Sequence, residues 1–290
     1  MHNTAVTIEE CSPRRTSVLL GGERNGKAMK DIQNSPDLRG IDIHQVGICD
    51  LIYPITVLDR SNQPQQCAAT LSLSVGLSHK LKGTHMSRFL EVLAAHAEIT
   101  VHTFPSFLRA LKKRLNAESA QLRIEFIYFL QRKAPVSGLT APVDYRCALT
   151  GESTATSDDL LLRVRVPVGT LCPCSKEISD YGAHNQRGYI TITARALPLT
   201  DGPCDPVWIE DLIEIAEKSA SAPVYALLKR PDERHVTMQA YDNPVFVEDV
   251  VRNAAALLKD DPRVASFTVE AINHESIHNH SAFAVVRSQT

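Results

Sequence analysis

The most restrictive feature of this 290-residue sequence is an order of apolar patterns that occurs twice. In the first half, alternation of apolar residues begins near His44 and runs through VGICDLIYPITVLD (46–59). It breaks at SNQPQ and resumes through CAATLSLSVGLS (67–78), which reads as a hairpin. Two helical stretches follow, MSRFLEVLAAHAEI (86–99) and SFLRALKKRLN (106–116). The second has Pro105 near its start and Leu108, Leu111 and Leu115 at helical spacing. AQLRIEFIYFLQRK (120–133) and VDYRCALTGE (143–152) then return to strand.

The second half repeats the order. LLLRVRVPVG (160–169) and GYITITARAL (188–197) read as strands, and WIEDLIEIAEKSASAPVYALLK (208–229) and PVFVEDVVRNAAALLK (244–259) as helices. VASFTVEAIN (264–273) and SAFAVVRS (281–288) are the closing strands. Two runs of strand, strand, helix, helix, strand, strand imply two packed copies of one ββααββ-like module. The expected class is α+β, with antiparallel sheets carrying helices on one face. The expected divisions are a loosely ordered arm (1–40) rich in Ser, Arg, Gly and Asn, a first module (41–156) and a second (157–290). Such sheets leave edges, which joining subunits into a closed barrel would remove, so a homo-oligomer is expected.

Composition narrows the function classes. A net charge of −2 and a single Trp argue against a protein that coats nucleic acid. No apolar stretch of 18 residues occurs, and the first residues put acids and arginines where a secretory peptide needs an apolar run. The expectation is a cytoplasmic chain with no membrane partner. Seven cysteines (Cys11, Cys49, Cys67, Cys147, Cys172, Cys174, Cys204) form no disulfide framework. Cys49, Cys67 and Cys147 fall in strand patterns and are expected as small buried hydrophobes.

Chemistry concentrates in two places. Residues 170–187 form an apparent loop of 18 residues containing Cys172-Pro173-Cys174, Lys176, His184 and Arg187. Loops of that length inside a compact domain are commonly functional. The CxC spacing suits metal binding or thiolate chemistry, while the plainer alternative is two small residues ending a strand. The second place is His274-Glu275-Ser276-Ile277-His278-Asn279-His280, between the last two strands. Imidazoles there could ligate a metal or carry protons, with Glu275 orienting one of them or shuttling protons itself. A solvated turn is the alternative. Asn243-Pro244 reads as an N-cap with proline at the first helical position. That puts Glu248 one turn into a helix, as a helix-dipole residue or as a carboxylate able to accept two parallel N–H donors.

Five separated segments in order, KGTHMSRF, TLCPCSKEISDYGAHNQR, LLKRPDE, NPVFVEDVVR and HESIHNHSA, together resemble the type IB GTP cyclohydrolases over about residues 31–288. The resemblance implies a tunnelling fold assembled as a homotetramer. It also implies the reaction of GTP with water to give 7,8-dihydroneopterin triphosphate and formate, with one divalent metal (zinc, manganese or iron) per site and no organic cofactor. By position it makes Cys172, His184, Glu233 and His278 metal ligands, and Cys174, Glu275 and His280 catalytic residues beside them. Cys172 is preferred to Cys174 as the sulfur ligand and shares the catalytic role. Glu248 resembles the carboxylate that anchors guanine, and Lys176, Arg187, Lys229, Arg230, His85 and Arg88 are candidates for the triphosphate. Gly188 departs from the family pattern, which has Ser after HNQR. Alternatives with parts of the same pattern are another purine or pterin enzyme of this fold, and a metal-stapled RNA-binding module. The second lacks an aromatic and basic stripe.

Overall fold

A computed structural model describes residues 31–96, 100, 103–196 and 206–288. The expectations for the arm before residue 31, and for Cys11 and Cys204, lie outside them. The first half holds β1 (Ile43–Leu58), β2 (Pro64–Leu77), α1 (Met86–Ala94), α2 (Phe104–Leu115), β3 (Ala120–Lys133) and β4 (Thr140–Ser153). The second holds β5 (Asp158–Leu171), α3 (Pro173–Ile178), β6 (Asn185–Ala196), α4 (Ile209–Ser219), β7 (Ala222–Pro223), α5 (Arg230–Asp242), α6 (Val247–Lys259), β8 (Val264–His274) and β9 (Ser281–Arg287). All pairings are antiparallel, and one sheet runs β1-β2-β3-β4-β5-β6-β8-β9 across both halves. β7 pairs with Val168 and Gly169 of β5, beyond the point where β4 leaves that strand at the Arg146–Arg165 pair.

Alternation decides which face is covered. Leu71, Leu73, Leu122, Ile124, Val164, Val166, Ile190, Ile192, Val269 and Ala271 point to one side and are buried beneath Phe89, Phe107, Leu111, Leu212, Ile213 and Val250 of the helices. The opposite face carries Arg123, Arg146, Arg163 and Arg187 in the open. Gly151 is required on the covered side, where an added Cβ would lie 2.2 Å from the Phe104 ring.

Helix α4 belongs to the second half by sequence but is bonded to strands of the first. The Glu210 carboxylate, buried, accepts from Tyr128 Oη at 2.6 Å and from the Arg60 N–H at 3.1 Å. Glu217, also buried, accepts from Arg132 and, at 3.5 Å, from Tyr145 Oη. Burial first, then the facing carboxylate, holds the Tyr128 and Tyr145 hydroxyls above the ordinary tyrosine range. After α4, Ser221 Oγ accepts from the Leu171 N–H at 3.0 Å, tying the helix exit to the end of β5.

The structure corrects several expectations. The presumed loop 170–187 contains the end of β5, the whole of α3 and the start of β6. The stretch 208–229 is helical only to Ser219, because β7 follows at once. Helix α5 has no apolar stripe to read, since its one buried residue is Asp232. Asn243 is not an N-cap: it ends α5, while α6 starts after Phe246, whose N–H donates to Asp249 Oδ2 at 3.1 Å. Cys67 and Cys147 are buried as expected, but Cys49 is exposed, because β1 slips register between Ile48 and Leu51, with Asp50 at φ 55°.

Asp232 fixes the start of α5. Its Oδ1 accepts the Val136 and Ser137 N–H groups of the β3–β4 turn at 2.8 and 2.7 Å, and its Oδ2 accepts the Lys229 N–H at 2.9 Å. Burial alone would raise this carboxyl, but the N–H donors from Ser137, Lys229 and Val136 outweigh it and hold the group well below its ordinary value of 3.8. Asp232→Asn keeps one acceptor but turns a donor toward the Lys229 N–H, so it should lower the thermal midpoint at pH 7. Because the folded value is depressed, this stabilisation is complete above about pH 3.8 and fades as pH falls below it. Melting curves at pH 7 and pH 3 should therefore show a wild-type advantage that shrinks in acid. Tyr128→Phe strips one of the two donors from a buried carboxylate and should cost about 1–3 kcal/mol. The urea midpoint, at fixed protein concentration and unchanged slope, measures it.

Candidate active site

The starts of helices α3, α5 and α6 and the β8–β9 turn lie toward the end of the sheet where β5 stops. Cys172 is the N-cap of α3, and its Sγ accepts from the Ser175 N–H at 3.5 Å. The Cys172 N–H donates to the His184 carbonyl at 3.2 Å, and the His184 N–H to Ser175 Oγ at 3.1 Å. These bonds close residues 172–184 into a braced loop that holds Cys172 and His184 side by side. Cys172 is half-buried and Cys174, at the second position of α3, is exposed. Pro173 at the first helical position costs no hydrogen bond there, which is why so short a helix forms.

The β8–β9 turn lies against this loop because β6 pairs with β8 through Arg187 and His274. Glu275 Oε1 accepts from Gln186 Nε2 at 3.1 Å, and Ser276 Oγ lies 3.2 Å from His184 Nδ1. With Nδ1 engaged, Nε2 is the ring nitrogen left for a ligand. His278 and His280 stack with centroids 5.1 Å apart and planes at 15°. Both precede β9, so they belong to the turn and not to one face of a strand. Gly188 sits in the same ladder, where a Cβ would come within 2.5 Å of Asn273 Oδ1.

The segment between α5 and α6 is fastened to the same end, the Val245 N–H donating to the Leu171 carbonyl at 3.1 Å. Lys176 Nζ donates to the Tyr241 carbonyl at 2.6 Å and sits 4.2 Å from the centre of its ring. Glu233, Lys229 and Arg230 lie at the start of α5, anchored by Asp232, and Glu248 is the second residue of α6. All four are exposed. Among the described residues no three His, Cys, Asp or Glu side chains already form a group that could hold a metal. Sequence pattern does not single out Gln186, Ser276 and Asp232, which position these side chains. The only signal for Asp232 is its place three residues into a helix that the sequence does not reveal.

His85 and Arg88 are elsewhere. Val75, Ala120, Ser153 and Asp158 share one transverse row, and Leu171 stands thirteen residues further along β5, about 40 Å away. His79 is bonded to Asp42 beside that row, at 2.7 Å. His85, six residues on and 3.3 Å from Asp31, can depart from it by no more than about 20 Å. Within one chain these two residues cannot meet Cys172.

Known proteins resemble this chain over most of its length. The family model described as type I GTP cyclohydrolase FolE2 matches residues 29–284. A GTP cyclohydrolase FolE2 of Methylobacillus flagellatus is 49% identical over 259 residues, 89% of this chain and 95% of that protein. One from Methylococcus capsulatus is 48% identical over 265 residues, covering 91% and 96%. One from Dictyoglomus thermophilum is 46% identical over 258 residues, covering 89% and 97%. Among solved structures, the uricase of Arthrobacter globiformis superposes with a TM-score of 0.50 at 7% identity over 85% of this chain and 93% of that one, a likeness of fold. With the family pattern matched over nearly its whole length, the chain belongs to the type I GTP cyclohydrolase FolE2 family.

Proposed function

We propose that this chain converts GTP and water into 7,8-dihydroneopterin triphosphate and formate, the entry step of folate synthesis, at the sheet end where Cys172, His184 and the β8–β9 turn meet. The observation that carries this reading is the braced pair of Cys172 and His184 with Glu275 and Ser276 folded against it, in a chain of this family. In the reaction water adds at C8 of the purine, both C8–N bonds break, C8 leaves as formate and the ribose carbons close a new ring. Each of these changes moves protons, so acid and base groups must surround the reacting carbon.

Cys172 Sγ and His184 Nε2, with Glu233 and His278, make a mixed sulfur, nitrogen and oxygen donor set that suits zinc, manganese or iron. Glu233 and His278 are exposed with no side-chain hydrogen bond or ion pair among the described residues, so turning them inward breaks only the His278–His280 stack. When bound, such an ion lowers the pKa of its water and supplies hydroxide at neutral pH. Glu275, held by Gln186, and His280 serve as proton carriers, with Cys174 beside them. Glu248 accepts the two adjacent N–H donors of the guanine edge, and Lys176, Arg187, Lys229 and Arg230 face the phosphates. His85 and Arg88 complete the site from another copy of the chain, because their own lie too far away. The same assembly joins the β1 and β9 edges into a tunnelling-fold barrel, which we take to be a homotetramer.

Purified protein incubated with GTP should release formate and a fluorescent oxidised pterin, lose this activity with chelator, and regain it with zinc or manganese. Glu248→Ala should cut kcat/KM at least about a hundredfold, because guanine N–H donors that lose water on binding would find no acceptor, while metal content stays normal. Loss of metal in that variant would count against the assignment. Cys172→Ala should lose both metal and activity. Mixing inactive Arg88→Ala with inactive Glu248→Ala under exchanging conditions should restore part of the activity if each site draws on two copies. No recovery, with mixed oligomers demonstrated, would place His85 and Arg88 outside the site.

A further inference from the structure

On the open face of the sheet, β4 and β5 part after one last cross-strand pair, and that pair is Arg146 opposite Arg165. The fork opens a cavity of about 480 Å³, which Arg187 also lines together with Asp144, Tyr189 and His274. Like charges directly opposite on neighbouring strands are destabilising. Three other arginines of the sheet have acidic partners: Arg123 meets Glu125, Arg132 meets Glu217, and Arg195 meets Asp159 at 2.6 Å, whereas Arg163 and Arg287 stand singly rather than opposite another arginine. Among the described residues Arg146, Arg165 and Arg187 have none, and Asp144 lines the cavity without coming within ion-pair distance of any of them. Arg165 is nonetheless held in place, its guanidinium carbon 4.0 Å from the Tyr189 ring centre, and Tyr189 is braced edge-on by His274 at 5.8 Å. A guanidinium stacked on an aromatic ring keeps its N–H groups free for an anion in the guanidinium plane.

We propose that Arg146, Arg165 and Arg187 form a binding site for an oligophosphate anion in the cavity where β4 and β5 part. Three guanidiniums against one carboxylate leave a net charge of +2 there. The fork geometry of arginine matches phosphate oxygens pairwise. Two sources carry this chemistry: the triphosphate tail of the nucleotide, or a free oligophosphate. Only the first rests on the reading of the chain as a GTP enzyme.

The test is calorimetric titration of the full-length protein with inorganic triphosphate, which requires no turnover, with guanosine as a phosphate-free comparison. Wild type should bind triphosphate saturably, and Arg146→Gln and Arg165→Gln should each weaken it tenfold or more while guanosine binding is unchanged. Without anion Arg146→Gln should melt at or above the wild-type temperature, because it removes a repulsion, whereas Arg165→Gln removes the same repulsion together with the Tyr189 contact. With triphosphate the wild type should gain several degrees and the variants almost none. If triphosphate competes with GTP, and Arg165→Gln raises the KM for GTP by a similar factor, the site takes the substrate's tail. If triphosphate leaves that KM untouched, and the variant has the wild-type KM, the site takes a free anion. Absence of saturable binding to the wild type, or wild-type affinity in both variants, overturns the proposal.

Discussion

Two buried carboxylates on one helix hold this molecule together. Glu210 and Glu217 are two turns apart on α4, so both face the sheet, and they find hydroxyl and guanidinium donors on β3 and β4 of the other half. Burial pushes the Glu217 carboxyl above its ordinary range even with Arg132 beside it, so removing a donor would leave a poorly compensated group in the core. The β4–β5 ladder alone would join the halves along one line. The α4 bonds add a second attachment across the covered face, and together they fix the angle between the halves.

The position of the candidate site follows from that attachment. Once α4 is set, Ser221 reaches the Leu171 N–H and β7 pairs beside Gly169, so the end of β5 has only one place to go. Cys172 is the next residue. From β7 the chain passes to α5, whose start is held to the β3–β4 turn by Asp232, and then to the Val245–Leu171 bond that sets the start of α6. Cys172, Glu233 and Glu248 come from three elements far apart in sequence, yet all three are placed by hydrogen bonds to backbone groups near one strand end.

What could be read from the sequence follows the reach of each signal. β3 spans the residues that alternation assigns to it, 120–133, because every second side chain enters the core. α5 escaped because a helix held by one buried aspartate shows no apolar period, and α3 because six residues are too few to show one. Asn243-Pro244 does not mark the start of α6 because a tertiary bond, Val245 to Leu171, extends the preceding segment past Pro244. The chemical residues were legible where they cluster in sequence, as in CPC and HESIHNH. Their meeting was not, since it depends on a register that pairs Arg187 with His274. Arg146 and Arg165 lay hidden for the same reason: nothing local says that residues nineteen apart will stand opposite each other.

The division of labour between the two faces explains why a site can sit at the sheet end without weakening the core. The covered face is apolar from Leu71 to Ala271 and carries the stability. The strand ends contribute little to that core, so half-buried and exposed residues such as Cys172, His184 and Glu275 can be chosen for chemistry at small cost in packing. The open face is under a different constraint. It leaves Ile52 and Phe283 each 74% exposed, on the two edge strands, beside unpaired arginines further in. Apolar side chains stand at the edges and unpartnered arginines further in, the reverse of the order in which charge at the edges blocks strand addition.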